Sequence, residues 1–219
     1  MNNLTFSASD IDNLEQRYRA EFINCLSGFK SANLVGTRDK QGKDNLCIVS
    51  SVVHIGANPP LLGMIMRPHT VQRDTLDNIK NTGVYTLSSV TSQMTAQAHQ
   101  TSARYDPKVS EFEKVGLTPE DSKSINAPYV LESPIKLSME VQDIQYLAIN
   151  QTELVIGQIV EVVLPESSID KTGYIDIEAC DSISISGLVS YHKTTRVARY
   201  GYAKPDEKPL NLIDLSVED

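Results

Sequence analysis

The stretch that decides the fold is SSVVHIGANPPLLGMIMRP, residues 50–68. Two apolar runs flank its double proline, and Arg67 and Pro68 end the second run. Because proline cannot donate a hydrogen bond to a β-ladder, the double proline predicts a reversal between two strands, and Pro68 prevents the second strand from continuing. The reversal would bring Ser50 and Ser51 on the first strand close to Arg67 on the next.

Length and composition are those of an ordinary globular protein. The chain has 219 residues, of which 40% are hydrophobic and 22% charged, and no apolar run approaches the roughly 18 residues of a membrane span. The N-terminus has no basic segment followed by an apolar core, so we expect no secretory signal and a cytoplasmic protein. Three widely spaced cysteines, Cys25, Cys47 and Cys180, suggest reduced thiols rather than disulfides or a zinc site.

The charge of the chain limits the classes of partner. A formal net charge of −8 and the absence of a basic block argue against nucleic acid, and an acidic surface argues against an anionic membrane. An anionic ligand would therefore have to be held by a few local cations and backbone donors. Arg67 and Arg73 are the cations that this region of the sequence suggests.

Periodicity predicts the order of secondary structure. Apolar residues at helical spacing predict one amphipathic helix over residues 11–26. The sequence KQGK predicts a hairpin between strands at 31–39 and 44–55, because its glycine can take the positive φ of a tight turn. A second helix should begin with Thr70 as its N-cap and bury one face. Further strands are predicted at 61–67, 84–90, 135–147, 153–165, 174–177 and 182–192.

The order of these elements predicts a mainly β fold with a few helices, in one domain. About half a dozen β-segments suggest a closed β-barrel, because closure removes exposed strand edges. Residues 91–129 lack strand alternation and are expected to form short helices beside the sheet. We divide the chain into an N-terminal helix and lead-in (1–28), the barrel domain (29–205) and a C-terminal tail (206–219).

Several common kinds of site find little support in the sequence. A serine hydrolase is disfavoured because no GxSxG motif accompanies Ser50, Ser51 and the four histidines. The histidines are scattered without close acidic or thiol companions, which argues against a metal site. Neither GxGxxG nor GxxxxGK[ST] is present, so a Rossmann or P-loop nucleotide site is not expected. Serine hydroxyls and arginines around a strand, turn, strand and helix instead suit a planar ligand with one phosphate.

Four segments of the chain resemble a known family. They are SANLVGTRDKQGKDNLCIVSSVVHIGANPPLLGMIMRP (31–68), RDTLDNIKNTGVYTL (73–87), TELVIGQIVEVVL (152–164) and SGLVSYHKTTRVARYGYAKP (186–205). On these motifs the chain resembles the flavin reductase-like family with an FMN-binding split barrel, particularly its flavoredoxin-like branch. The resemblance covers residues 29–205 and implies a split barrel of the FMN-binding type with a few flanking helices.

The resemblance also implies a function. It implies an FMN-binding homodimer that accepts a hydride from NADH or NADPH, or passes electrons between redox proteins. The flavin would carry the chemistry, so no catalytic residue of the protein is expected. Serine donors would contact the ring and ribityl chain, Asn33 the polar edge of the ring, and arginine the phosphate. The residues expected to bind the cofactor are Asn33, Asn45, Cys47, Ser50, Ser51, Val52, Val53, Arg67, Thr70 and Arg73.

Two histidines and several alternative functions stay open at this point. His99 and His192 are candidates for the mouth of the flavin site, where either could donate to a substrate or a nicotinamide amide. A Gly-Asp-His sequence that many relatives carry is replaced here by Asn150, Gln151 and Thr152, which leaves the histidine unassigned. The alternatives to an NAD(P)H-dependent reductase are an electron carrier, a flavin- or haem-binding module, and a pyridoxamine phosphate oxidase-like enzyme.

Overall fold

A computed structural model of the protein describes residues 2–68, 74–106 and 108–213. No helix within these ranges is both long and apolar enough to cross a membrane. In chain order, the helices are α1 (Ala8–Asp12), α2 (Gln16–Leu26), α3 (Asp74–Thr82), α4 (Thr95–Gln100) and α5 (Glu111–Val115). The strands are β1 (Lys30–Ser31), β2 (Asn33–Arg38), β3 (Asp44–Val49), β4 (Val52–Ala57), β5 (Pro60–Met66), β6 (Val84–Ser89), β7 (Pro119–Asp121), β8 (Pro128–Val130), β9 (Lys136–Leu147), β10 (Thr152–Val163), β11 (Ser184–Ser186) and β12 (Ser190–His192).

Seven strands form one antiparallel sheet in the order β3-β2-β6-β9-β10-β5-β4. Every strand of this sheet contributes to one apolar cluster on its inner face, so the sheet curls into a barrel around a single core. Helix α3 adds Leu76 and Ile79 to the same core, and both side chains are fully buried. The mainly β fold predicted from the sequence is confirmed.

The barrel is split between its two edge strands, β3 and β4. These strands follow each other in the chain, separated only by Ser50 and Ser51, yet within this fully described stretch they share no ladder. The backbone changes partner at Ser51, because its carbonyl oxygen accepts from the Ile65 amide of β5 at 3.1 Å. The single strand predicted over 44–55 is therefore two strands, and the barrel is not closed by hydrogen bonds at this point.

Both reversals predicted next to the split are present. β2 pairs with β3 in the predicted hairpin, and Gly42 has a φ of 87° in its turn, a conformation that glycine adopts without strain. β4 pairs with β5 across the double proline, with Ala57 opposite Pro60. The structure thus confirms the KQGK hairpin and the proline reversal.

A second apolar cluster lies on the outer face of β2 and β3. It joins Leu34 and Leu46 of these strands to side chains from α4, α5, β8 and β11. Residues 91–129 contain α4 and α5, as predicted, but also the unpredicted strand β7 and part of β8. This outer layer covers one side of the barrel.

Polar contacts attach the β7–β8 hairpin to the barrel. Arg38 on β2 pairs with Asp44 at 2.6 Å and with Asp121 of β7 at 2.7 Å. Glu161 on β10 accepts from the Tyr129 hydroxyl of β8 at 2.7 Å. This hydrogen bond is the main reason that the pKa of Glu161 is lowered, so its carboxylate stays ionised and bound at neutral pH.

The N-terminal helix predicted over residues 11–26 is two helices instead of one. Ser7 caps α1, and its Oγ accepts from the Asp10 amide at 3.2 Å. Glu15 then caps α2, because its side chain accepts from the amides of Arg17 and Tyr18. A second capping residue inside the apolar repeat starts a new helix, which periodicity alone does not reveal.

Two strand predictions near the C-terminus are wrong in detail. Residues 174–177, all described, form no strand, and a single bridge joins Ile169 to Ile175. The strand predicted over 182–192 is the hairpin β11–β12, which turns at Gly187 with a φ of 58°.

Within the described residues, the helix predicted from Thr70 begins at Asp74, and Thr70 itself lies outside them.

Gly36 on β2 marks a close approach between the barrel and β8, and its substitution is expected to be costly. A Cβ at this position would lie inside contact distance of the Pro128 carbonyl oxygen and 2.6 Å from Thr86 Oγ1. Because Thr86 is buried and Pro128 contributes backbone, neither neighbour can move away easily. Gly36→Ala should lower the free energy of unfolding by about 1–3 kcal/mol, measured by urea denaturation.

Gly56→Ala on β4 is the matched control for this substitution. Its Cβ would meet only the Pro59 carbonyl oxygen, at 3.4 Å, which is ordinary contact. Its unfolding free energy should stay within about 0.5 kcal/mol of the wild-type value. Equal urea midpoints for the two variants would contradict the close approach at Gly36.

Candidate functional site

The split of the barrel forms a corner where β4 begins and β5 ends. The two strands are antiparallel, so the start of one lies beside the end of the other. Ser51 fixes this arrangement, because its Oγ donates to the Ile65 carbonyl oxygen at 2.8 Å while its own carbonyl oxygen accepts from the Ile65 amide. Ser50 and Ser51 form the link between β3 and β4, and Arg67 follows β5. We call Ser50, Ser51 and Arg67 the corner.

Two polar groups at the corner have no partner among the residues that the structure describes. Arg67 is exposed and makes no ion pair within them, and Ser50 is half-buried and its hydroxyl makes no hydrogen bond there. A guanidinium and a hydroxyl that have no partner within the protein can both donate hydrogen bonds to phosphate oxygens. Thr70 and Arg73 lie outside the described residues, so their place at a phosphate stays a prediction.

Asn33 lies at the corner end of the β2–β3 ladder. It is opposite Val49, the last residue of β3 before Ser50. Its Nδ2 donates to Ser31 Oγ at 2.9 Å, and its Oδ1 has no donor within the described residues. This amide oxygen can therefore accept from an N–H group of a ligand.

A row of polar side chains continues from Asn33 across the three-stranded sheet β1-β11-β12. Ser31 is opposite Ser184, and Ser184 is opposite His192, so these side chains share one face of the sheet. The row ends where Ser186 Oγ lies 2.8 Å from His192 Nε2. These serines were not predicted as site residues, although the alternation SISIS is typical of a strand with one polar face. We call these five residues the polar row.

The two histidines singled out from the sequence lie on opposite faces of β12. His192 belongs to the polar row, whereas the neighbouring Tyr191 packs against the outer apolar cluster, with its hydroxyl 2.9 Å from His99 Nδ1. Burial raises the pKa of Tyr191, so its hydroxyl stays protonated at neutral pH and can donate to His99. Of the two histidines, only His192 belongs to the polar row that begins at Asn33.

Asn45 lies at the other end of the β2–β3 ladder, in a buried polar network. Its Oδ1 accepts from Thr75 Oγ1 at 2.6 Å and from Thr37 Oγ1 at 3.3 Å, and its Nδ2 donates to Glu111 Oε2 at 2.8 Å. Asn78 Nδ2 donates to the same threonine, Thr37, at 3.1 Å. The hydrogen-bonding groups of Asn45 are thus engaged inside the protein, away from the corner.

Three further residues expected at the cofactor, Cys47, Val52 and Val53, lie on the two edge strands beside the split. Cys47 on β3 and Val52 on β4 pack against the barrel core from its partly buried margin. Val53 is 54% exposed on the other side of β4. Cofactor contacts by these residues stay predictions.

An open groove of about 310 Å³ lies between the β2–β3 turn and α3. Its lining includes the carboxylates of Asp39, Asp74 and Asp77 beside the ammonium groups of Lys40 and Lys43. Because acidic groups outnumber basic ones, the groove is a poorer site for a phosphate than the corner with Arg67.

The sequence and the fold match proteins of one family. Residues 27–181 match the family model for a flavin reductase like domain. A crystal structure of a candidate flavin reductase with a split barrel domain, from Shewanella frigidimarina NCIMB 400, is 53% identical to the chain and has a TM-score of 0.89. The match covers 92% of this chain and 100% of that one. The split-barrel fold expected from the sequence is thereby confirmed.

Two more distant structures share the fold. Nitrilotriacetate monooxygenase component B from Bacillus cereus is 22% identical, with a TM-score of 0.79 over 90% of this chain and 98% of its own. Flavoredoxin of Desulfovibrio vulgaris (Miyazaki F) is 23% identical, with a TM-score of 0.67 over 82% of this chain and 92% of its own. At these identities the likeness concerns the fold alone.

Asn45→Ala should act on stability rather than on ligand binding. The substitution leaves the buried Thr75 hydroxyl without its acceptor and the Glu111 carboxylate with only the Leu46 amide as donor, which should lower the free energy of unfolding by about 1–3 kcal/mol. Urea denaturation measures the loss. FMN affinity measured well below the unfolding transition should be close to the wild-type value.

Asn81→Ala is the matched control, because Asn81 is an exposed amide that lines the groove on the same helix as Thr75. Its free energy of unfolding should change by less than about 0.5 kcal/mol. A wild-type urea midpoint for Asn45→Ala, combined with a loss of FMN affinity, would instead assign Asn45 to the cofactor.

Proposed function

The chain belongs to the flavin reductase-like family, and we propose that it is an FMN-binding oxidoreductase whose cofactor phosphate binds at the corner. The observation that carries this proposal is that the exposed Arg67, just after β5, and the Ser50 hydroxyl, just before β4, have no partner in the described chain. The net charge of −8 offers a phosphate no general attraction, so a local cation has to supply it.

The described residues fit the polar groups of a flavin. The edge of the isoalloxazine ring carries N–H and C=O groups in one plane, which need acceptors and donors from the protein. Asn33 offers its Oδ1 next to the corner, and its Nδ2 is bonded to the Ser31 hydroxyl of the polar row. We propose that Thr70 and Arg73, just before α3, complete the phosphate site with Arg67.

The reaction class we propose is hydride transfer from NADH or NADPH. When bound, the flavin would supply the redox chemistry, accepting the hydride and passing electrons to a small molecule or a redox protein. The residues of the chain bind and orient, with Arg67 at the phosphate and Asn33 at the ring edge. His192, at the far end of the polar row, is the proposed donor to the nicotinamide carboxamide. Within the described residues the three cysteines form no disulfide, which suits a reducing cytoplasm.

Flavin binding and reduction test this function directly. The purified protein is titrated with FMN, and the complex is then mixed anaerobically with NADH or NADPH while the flavin band at roughly 450 nm is followed. We expect FMN to bind and one or both nucleotides to bleach it promptly. Bleaching only by a protein electron donor would identify an electron carrier. Turnover of pyridoxamine phosphate would identify a pyridoxamine phosphate oxidase-like enzyme. Protein that does not bind FMN contradicts the proposal outright.

Arg67→Ala is expected to weaken FMN binding by about 1.5–3 kcal/mol, the value of a charge-assisted contact. This corresponds to a dissociation constant raised roughly 10- to 150-fold, measured by fluorescence titration. Arg17→Ala removes an exposed arginine of α2 and should leave the constant unchanged. An unchanged dissociation constant for Arg67→Ala would mean that the phosphate binds elsewhere. The same titration of Arg73→Ala measures how much of the phosphate binding that arginine contributes.

We propose further that two copies of the chain associate through the outer face of β4, β5 and β10. Strand β4 is an edge of the seven-stranded sheet, and exposed edges are normally covered. Its residues Val53 and Ile55 are 54% and 43% exposed, and Val160 on β10 is 37% exposed. Apolar side chains gathered at an uncovered edge are typical of an interface. A second copy seated there would lie beside the corner.

Ile55→Glu should therefore convert a dimer into a monomer, because the new carboxylate would be buried without a partner at the interface. Size-exclusion chromatography with light scattering measures the change as a halving of the mass. Val189→Glu, at an apolar side chain that is 55% exposed in the β11–β12 turn, is the control and should stay dimeric. A wild-type protein that is monomeric at micromolar concentration would contradict the proposed assembly.

A further inference from the structure

The sequence KTTRVAR, residues 193–199, places a cation at every third position. It follows β12 directly, and within the described structure it belongs to neither a helix nor a sheet. The proposed flavin site uses none of these cations.

All three cations contact one acidic segment, the loop 166–182. The order of the contacts is reversed along the two segments, so they run antiparallel to each other. The ion pairs are Lys193–Asp181 at 2.7 Å, Arg196–Asp176 at 2.8 Å and Arg199–Asp170 at 2.9 Å.

Tyr174 in the same loop adds contacts between guanidinium groups and an aromatic ring. The guanidinium carbon of Arg199 lies 3.8 Å from the centroid of the Tyr174 ring, and that of Arg196 lies 5.3 Å from it. Both distances are within the range of cation–π attraction. Arg199 also donates to Thr172 Oγ1 at 3.1 Å, and Arg196 also pairs with Glu178 at 3.4 Å, so each arginine has three partners in the loop.

Apolar burial contributes little to this docking. No residue of 193–213 is fully buried, and Val197 and Tyr202 are each 96% exposed. The backbone hydrogen bonds of the segment stay within it, such as the one from the Leu212 amide to the Arg199 carbonyl oxygen at 2.7 Å. Charge is therefore the main attraction between the segment and the loop. The Lys193 side chain is 67% exposed, whereas those of Arg196 and Arg199 are 24% and 29% exposed, so salt weakens the Lys193 pair most and the two arginine pairs less.

Asp181 links the docked segment to the outer helices. Its Oδ1 pairs with Lys193, while its Oδ2 accepts from the Ser92 amide at 3.0 Å and from the Ser92 hydroxyl at 2.6 Å. Ser92 begins the 3-10 turn that leads into α4, which carries His99. The charge on Asp181 is thus shared between the segment and the start of the helices.

We propose that residues 193–213 form an electrostatic strap, which docks on the loop 166–182 and is released by rising ionic strength while the barrel stays folded. The Debye length falls from about 10 Å at 0.1 M salt to about 3 Å at 1 M, so the exposed Lys193 pair loses most of its attraction and the half-buried arginine pairs lose part of theirs. The barrel core depends on apolar burial, which salt does not weaken in this way. Release leaves Asp181 with Ser92 and removes both guanidinium groups from Tyr174.

Limited trypsin digestion tests the strap, because trypsin must bind the arginine side chain in its specificity pocket and an ion-paired arginine has to leave its partner first. Cleavage after Arg196 and Arg199 is compared with cleavage after Lys40, which is exposed in the β2–β3 turn. This ratio, measured by mass spectrometry, should rise at least about fivefold between roughly 0.05 M and 0.5 M NaCl. Salt effects on the protease itself cancel in the ratio. A constant ratio overturns the proposal, as does loss of the far-UV circular dichroism of the barrel over the same range.

Asp170→Asn should release the strap at low salt, because it removes the charge opposite Arg199 but keeps an oxygen that can accept from the Thr172 amide. Glu166→Gln is the matched control, since Glu166 lies in the same loop and makes no ion pair within the described residues. If Asp170→Asn does not fold, Arg199→Gln is tested in its place. Because this variant lacks the trypsin site at position 199, release of the strap is measured by cleavage after Arg196. Wild-type protection of the strap in the folded variant overturns the proposal, as does equal release in Glu166→Gln.

Discussion

The pair of hydrogen bonds between Ser51 and Ile65 decides where this barrel splits. Up to Val49 the chain is bonded to β2, and from Ser51 onward it is bonded to β5. The exchange of partners leaves β3 and β4 as the two edges of one sheet, although they are almost continuous in the chain. It also brings Ser50 beside the end of β5, where Arg67 stands. The proposed ligand site is therefore a consequence of how the sheet is interrupted.

The two ends of the β2–β3 ladder differ in how their polar groups are satisfied. At one end, Asn45, Thr75 and Glu111 bond to one another in a buried network, which favours a single packed arrangement of α3 and α5 on the strands. At the other end, Asn33 keeps a carbonyl oxygen without a donor, and Arg67 is exposed without an ion pair in the described chain. Polar groups that the fold satisfies stabilise it, whereas those it leaves unsatisfied are available to a ligand.

Local chemistry explains what the sequence could predict. Gly42 and the double proline dictate turns through their own backbone preferences, so both hairpins could be predicted from a few residues. The split could not, because it depends on which distant strand bonds to Ser51. The surroundings of Asn45 and His192 could not be predicted for the same reason. The partner of Asn45 lies on α5, 66 residues away, and the face of His192 depends on a hairpin that alternation alone does not show.

A crystal structure of the protein with FMN is the most direct test of the account. We expect that structure to show the phosphate within hydrogen-bonding distance of the Arg67 guanidinium and the Ser50 hydroxyl. The polar edge of the ring should lie toward Asn33. A phosphate bound in the groove between the β2–β3 turn and α3, or at any site out of reach of Arg67, would contradict it.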